Sequence, residues 1–170
     1  MTEETEENKR RKRPWWKPSI GATIFIGLVA LWWGVPHFLM WRADMQVKEL
    51  CAKDGGVKVY ETVTLPPEMF NQWGQVKFYK PTQKEDALGK EYIFKVNSHY
   101  YKKGYLSLRR YHVQILRRKS KKLLGESISY DRGGGDPIGP WGASSFSCPN
   151  LAGEVPLLKK VFEQLDGGTE

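Results

Sequence analysis

The sequence predicts an α+β protein: a single N-terminal transmembrane helix, then a small, mainly antiparallel sheet packed by two terminal helices. Three observations carry that expectation. Residues 19–41 contain no Asp, Glu, Lys or Arg. Residues 57–131 hold short segments whose apolar side chains alternate at a period of two, the pattern of half-buried strands. Residues 154–165 repeat apolar side chains at spacings of three and four, the pattern of an amphipathic helix. The chain divides accordingly into a charged tail (1–18), a membrane span (19–41) and one extracytoplasmic α+β domain (43–170), which is long enough for one core and not for two.

The tail carries TEETEENKRRKR, an acidic block followed by a basic one, and its lack of apolar residues predicts disorder. From Ser19 to Trp41 the chain is apolar for 23 residues. As a helix this reaches about 35 Å, enough to cross a hydrocarbon layer of about 30 Å. Trp15, Trp16 and Trp41 flank it as interfacial residues do. Lys9, Arg10, Arg11, Lys12, Arg13 and Lys17 precede it, whereas Arg42, Lys48 and Lys53 on the other side are interleaved with Asp44, Glu49 and Asp54. The positive-inside rule therefore puts the N-terminus in the cytoplasm and the domain outside it. A cleaved signal peptide would have a shorter core and a small-residue cleavage site, but this core ends in FLMW with no A-x-A after it. A lipoprotein box is excluded too, because Lys48, Glu49 and Leu50 precede Cys51. Trp32-Trp33 and the basic cluster argue against a buried soluble helix.

Inside the span, Ser19, Thr23, Gly27, Ala30 and Gly34 place small side chains on one face. Such a face lets two membrane helices approach closely, although small residues are also common in spanning helices that pair with nothing. Pro36 predicts a kink at the outer end, and His37 sits where headgroups or water would meet it.

Beyond the span, Ala43–Lys53 reads as a short continuing helix with Met45, Val47, Leu50 and Cys51 on one side, closed by a left-handed glycine cap at Asp54-Gly55-Gly56. A strand over 57–63 follows, with Glu61 as the misfit on its apolar side. Glu68–Trp73 forms one helical turn, 75–80 a second strand, 81–90 a polar loop and 91–101 a third strand. The long strand 105–117 changes phase: Leu106 and Leu108 share one side, while Tyr111, Val113 and Ile115 share the other. An extra residue at Arg109-Arg110 would restore one apolar face, so a β-bulge is expected there. Residues 118–122 turn, and 123–131 return as the hairpin partner. Five Gly and three Pro make 131–150 a loop. The last helix spans 154–165, with Pro156 in its first turn and Gly167-Gly168 after its end.

Both cysteines, Cys51 and Cys148, lie in the domain. Outside the cytoplasm a disulfide is the expectation, and two buried thiols are the alternative. There is no CxxC, zinc spacing or Cys/His cluster, so neither a metal nor another cofactor is expected.

Residues 92–125 contain ten Lys or Arg and no Asp or Glu, with Tyr92, Tyr100, Tyr101, Tyr105 and Tyr111 among them. Arg109, Arg110, Arg117, Arg118, Lys119, Lys121 and Lys122 form a candidate surface for an anionic partner. The competing reading is a solvated hairpin whose charges guard an edge. Outside the cytoplasm the available polyanions are lipid headgroups, anionic glycan or an acidic protein, so nucleic acid is not expected. Gly133-Gly134-Gly135-Asp136 lacks the Lys-Ser/Thr of a phosphate-binding loop. His99 and His112, with Asp131 and Asp136, are the candidate acid–base residues, but their spacing matches no catalytic pattern, and the serines at 144–147 lack a nucleophile-elbow context. No enzyme activity and no small-molecule substrate are therefore expected.

The run Cys51-Ala-Lys-Asp-Gly-Gly-Val-Lys-Val-Tyr-Glu-Thr-Val-Thr-Leu-Pro66 resembles a segment of small, uncharacterised bacterial envelope proteins that carry a membrane anchor or a lipoprotein signal. Cys148-Pro149 before a last helix resembles their C-terminal end. The resemblance implies a bacterial envelope protein with paired cysteines, here in the inner membrane with its domain in the periplasm, and it implies no activity. The expected function is that of an anchored accessory or interaction protein, in contact with membrane lipid and a membrane-protein partner. The alternative is a module that binds anionic lipid or an envelope polymer through the hairpin 109–122; a small hydrolase is a more distant one.

Overall fold

The computed structural model describes residues 19–136, 142–150 and 152–165. The tail, the Gly167-Gly168 stop and the middle of the Gly/Pro-rich stretch lie outside the described residues. The α+β class holds: a long N-terminal helix is followed by a mainly antiparallel sheet and a short C-terminal helix.

Helix α1 runs unbroken from Ile20 to Asp54, 35 residues, so the apolar stretch and the segment after it are one rod. Ser19 caps it, its hydroxyl accepting from the Ala22 N–H, and the helix continues through Pro36. By length and composition it is able to cross a membrane. At its end Gly55 donates to the Cys51 carbonyl from an extended conformation, and the positive φ (121°) falls on Gly56, the second glycine of the expected cap. The face turned to the sheet carries Ala43, Val47 and Cys51. Met45, expected on that face, is exposed.

The expected strand 57–63 is two strands, β1 (Gly56–Val59) and β2 (Val63–Leu65). A short 3-10 turn, Pro67–Met69, follows. Residues 75–80 form no strand; Val76 makes a single bridge to Phe70, and Val76 and Phe78 pack into the core from an irregular segment. Strands β3 (Tyr92–Lys102), β4 (Leu106–Arg117) and β5 (Leu123–Gly134) make a long meander. Strand β6 (Ser145–Cys148) lies within the stretch expected to be loop, paired with β5. Helix α2 covers only Glu154–Val161. Phe162–Gln164 becomes β7, which pairs in parallel with β2 and buries Phe162. The main sheet has the order β1-β5-β4-β3, antiparallel throughout, with β6 beside the second half of β5.

The phase change in β4 has a different cause from the expected bulge. Residues 106–115 pair with β5 without a register shift, so Arg109-Arg110 hold no extra residue. The two halves of the strand are buried on opposite faces. Val113 and Ile115, with Phe94 and Leu124, face α2 through Leu157, Leu158 and Val161. Leu108, with Ile128 and Tyr130, faces α1 through Val47 and Cys51. The two helices therefore cover opposite faces at opposite ends of the sheet, not one common apolar face. Real register shifts occur at Tyr100/Lys102 and at Ile115/Leu116. The second gathers Leu124 and Gly125 under α2, where a Cβ on Gly125 would lie 2.7 Å from Val161 Cγ2. That glycine sets how closely α2 approaches.

Candidate functional site

The first site is the weld between α1 and the sheet. Cys51 and Cys148 form a disulfide with Cα atoms 6.0 Å apart, joining the helix to β6. One turn beyond, Asp54 accepts from the Tyr130 hydroxyl (2.7 Å) and from Arg110 (3.3 Å). Two turns before, Asp44 accepts from Arg132 Nε at 2.5 Å, and Arg132 is only 4% exposed. A buried guanidinium is tolerated only when paired and hydrogen-bonded. Here the carboxylate, the Gly134 carbonyl and Ser144 Oγ satisfy it. At the lower end Met40 touches Ser144, and Gly135 (φ 97°) leaves no room for a Cβ beside Met40 Cγ. Asp136 takes the Ser144 N–H, which holds its carboxyl below the ordinary range. The Gly133–Asp136 stretch thus serves helix contact, with its polar groups already engaged.

The seven basic residues do not assemble into one surface. Arg109 and Arg110 are neighbours on a strand and point to opposite faces. Arg109 pairs with Asp131 at 3.0 Å and lies over the rings of Tyr100 and Tyr111. Arg110 belongs to the weld. At the hairpin tip, Arg117 and Lys122 both reach Glu61, each at 2.6 Å. The hydrogen bond from Lys122, more than the field of Arg117, keeps that carboxyl below the ordinary range. Glu61, the misfit of the alternating pattern, is thus the counter-ion of the tip. Arg118 donates to the Tyr92 carbonyl. Lys119 and Lys121 have no ion pair among the described residues. The tip also stands at the end of the sheet remote from the apolar half of α1. Leu106 lies beside Met40, and Arg117 is eleven residues further on, about 36 Å at roughly 3.3 Å per residue.

The small-residue face of α1 is exposed. A Cβ on Gly27 or Gly34 would meet nothing, while Ser19 caps the helix and Thr23 Oγ1 donates to the Ser19 carbonyl. The candidate acid–base residues are separated. His112 bonds Glu126 at 2.8 Å, with the Tyr60 hydroxyl donating to the same carboxylate at 2.7 Å, whereas Asp131 is taken by Arg109. Desolvation opposes the Glu126 charge, but the bonds from Tyr60 and His112 outweigh it and hold the carboxyl below its usual value. His99 packs edge-on against Tyr101. Among the described residues no cluster of His, Cys, Asp and Glu is arranged to hold a metal ion.

A second polar node was not visible in the sequence. Glu154, at the start of α2, accepts from Tyr111 (2.6 Å), Tyr79 and Gln83. Burial, then the bond to Glu154, raises both phenols well above their ordinary pKa. The partners stand 43 and 75 residues from Glu154, so no spacing rule could have found them. No family model, curated protein or solved structure matches this chain.

Proposed function

We propose that this protein is a non-catalytic, single-pass accessory protein of a bacterial inner-membrane or envelope complex, its N-terminus cytoplasmic and its domain periplasmic. One observation carries the reading: the apolar helix enters the domain without a joint and is fixed there by a disulfide and two ion pairs. A cleavable or merely tethering segment needs no such continuity. The flanking charges support the orientation, and the resemblance of Cys51–Pro66 to envelope proteins supports the compartment. The polar networks consist of paired groups that tie elements together, which suits a scaffold. The test is purification of the full chain from membranes in mild detergent, followed by mass spectrometry. A membrane protein recovered in stoichiometric amount is the expected outcome. An isolated monomer would overturn the complex reading. A second reading, capture of an anionic polymer at the hairpin tip, rests on Lys119 and Lys121, since the tip's other cations are engaged within the chain.

A further inference from the structure

The β3–β4 turn comes down beside α1 where its apolar half ends. A cleft of about 370 Å³ lies between them, lined from the helix by Leu39, Arg42 and Gln46 and from the turn by Lys102, Lys103 and Tyr105. We propose that this cleft binds the headgroup of an anionic phospholipid from the membrane that α1 crosses, with Arg42, Lys102 and Lys103 holding the phosphate. The proposal rests on the reading of α1 as a membrane span.

Charge is the first argument. Three cations from two elements line one cleft, and none of them has a carboxylate partner among the described residues. The sheet cations Arg109, Arg110, Arg117, Lys122 and Arg132 do have one. Lys103 Nζ lies 5.5 Å from the Tyr100 ring, which Arg109 also covers on the face away from α1, so Lys103 carries no counter-ion among the described residues but must swing its ammonium across to meet a phosphate in the cleft. Grouped like charges left unpaired favour an anion between them, and Arg with Lys is a suitable set for phosphate oxygens.

Position is the second argument, and it selects a lipid over a soluble phosphate. Leu39 lines the cleft, and below it Val35 and Phe38 are exposed on the same helix. A ligand with a phosphate and a hydrocarbon chain meets both surfaces, whereas a free phosphate meets only one. Trp41 and Tyr105, each next in sequence to a cleft residue, are more than half exposed. Aromatic side chains with polar tips concentrate where headgroups meet hydrocarbon. The register shift at Tyr100/Lys102 is a third sign, because a bulge re-aims the side chains beyond it.

The test uses the full chain in nanodiscs of phosphatidylcholine with a minor fraction of phosphatidylglycerol, read by native mass spectrometry of lipid retained on the released protein. The wild type should retain phosphatidylglycerol preferentially. Each cation near an anionic surface contributes about five- to sixfold, so K102Q/K103Q should lower the preference about thirtyfold and R42Q about fivefold. K119Q/K121Q, at the far tip, should match the wild type. Equal retention of the two lipids, or K102Q/K103Q and R42Q both matching the wild type, overturns the site. Wild-type protein recovered outside the discs overturns the span itself, and this site with it. An intact disulfide in each variant shows that the substitutions left the fold in place.

Discussion

Gly125 decides the approach of α2 through a missing atom. Replacing it with Val drives side-chain atoms against Val161 and Leu157, which already stand 2.7 and 3.1 Å from a Cβ at that position. Overpacking of this kind costs about 1–3 kcal/mol, so chemical denaturation of Gly125→Val should show a loss in that range. Tyr130 gives a second test at this scale. Burial, then the bond to Asp54, pushes its phenol up from 10.0 to about 12. The unfolded chain ionises this group first, so its contribution is complete below pH 10.0 and is lost as the pH rises through about 12. Stability measured across that window should fall less steeply in Tyr130→Phe. The glycine, the tyrosine and the counter-ions of the basic run were illegible as roles. Glu61 reads as a flaw in an alternating strand, because its partner Arg117 lies 56 residues away.

Among the elements, α1 and its disulfide govern the largest effect. The bond closes a separation of 97 residues. Removing it through Cys51→Ala and Cys148→Ala should cost about 2–4 kcal/mol, read by denaturation, with hydrogen exchange fastest in the last turns of α1. Alkylation of protein taken from its native compartment should find both thiols blocked; two free thiols would contradict the proposed periplasmic placement of the domain. The strands β3 to β5 were legible because alternation survives wherever one face is buried. The meaning of the phase change in β4 was not. A one-residue slip and a switch of the buried face leave the same trace in sequence, and only the position of the second helix separates them. The last helix was overextended for a related reason: Phe162 suits an apolar helix stripe and a short parallel strand equally well.

For the molecule as a whole, the apolar helix and its able length were plain from composition, and the α+β class from two periodicities. What composition could not reveal is that the end of the helix runs alongside the sheet. Met40, Asp44 and Asp54 meet the sheet in ascending order, opposite Gly135, Arg132 and Tyr130, with Cys51 bonded to Cys148 beside Tyr130. Of the candidate surfaces, this order separates a hairpin turn near the apolar half from a basic tip at the far end, a distinction that a count of charges cannot make.

The jointless helix has a mechanical corollary. With α1 crossing a bilayer as proposed, helix and sheet would move together as a lever whose fulcrum lies at the membrane surface. Spanning helices adopt tilts over tens of degrees, and a change of about 10° would sweep the far tip sideways by about 6 Å over its roughly 36 Å arm. Rotation of the helix about its axis would turn the whole sheet by the same angle. Whatever grips the apolar segment thereby sets the pose of every group on the sheet, with no flexible linker to absorb the motion.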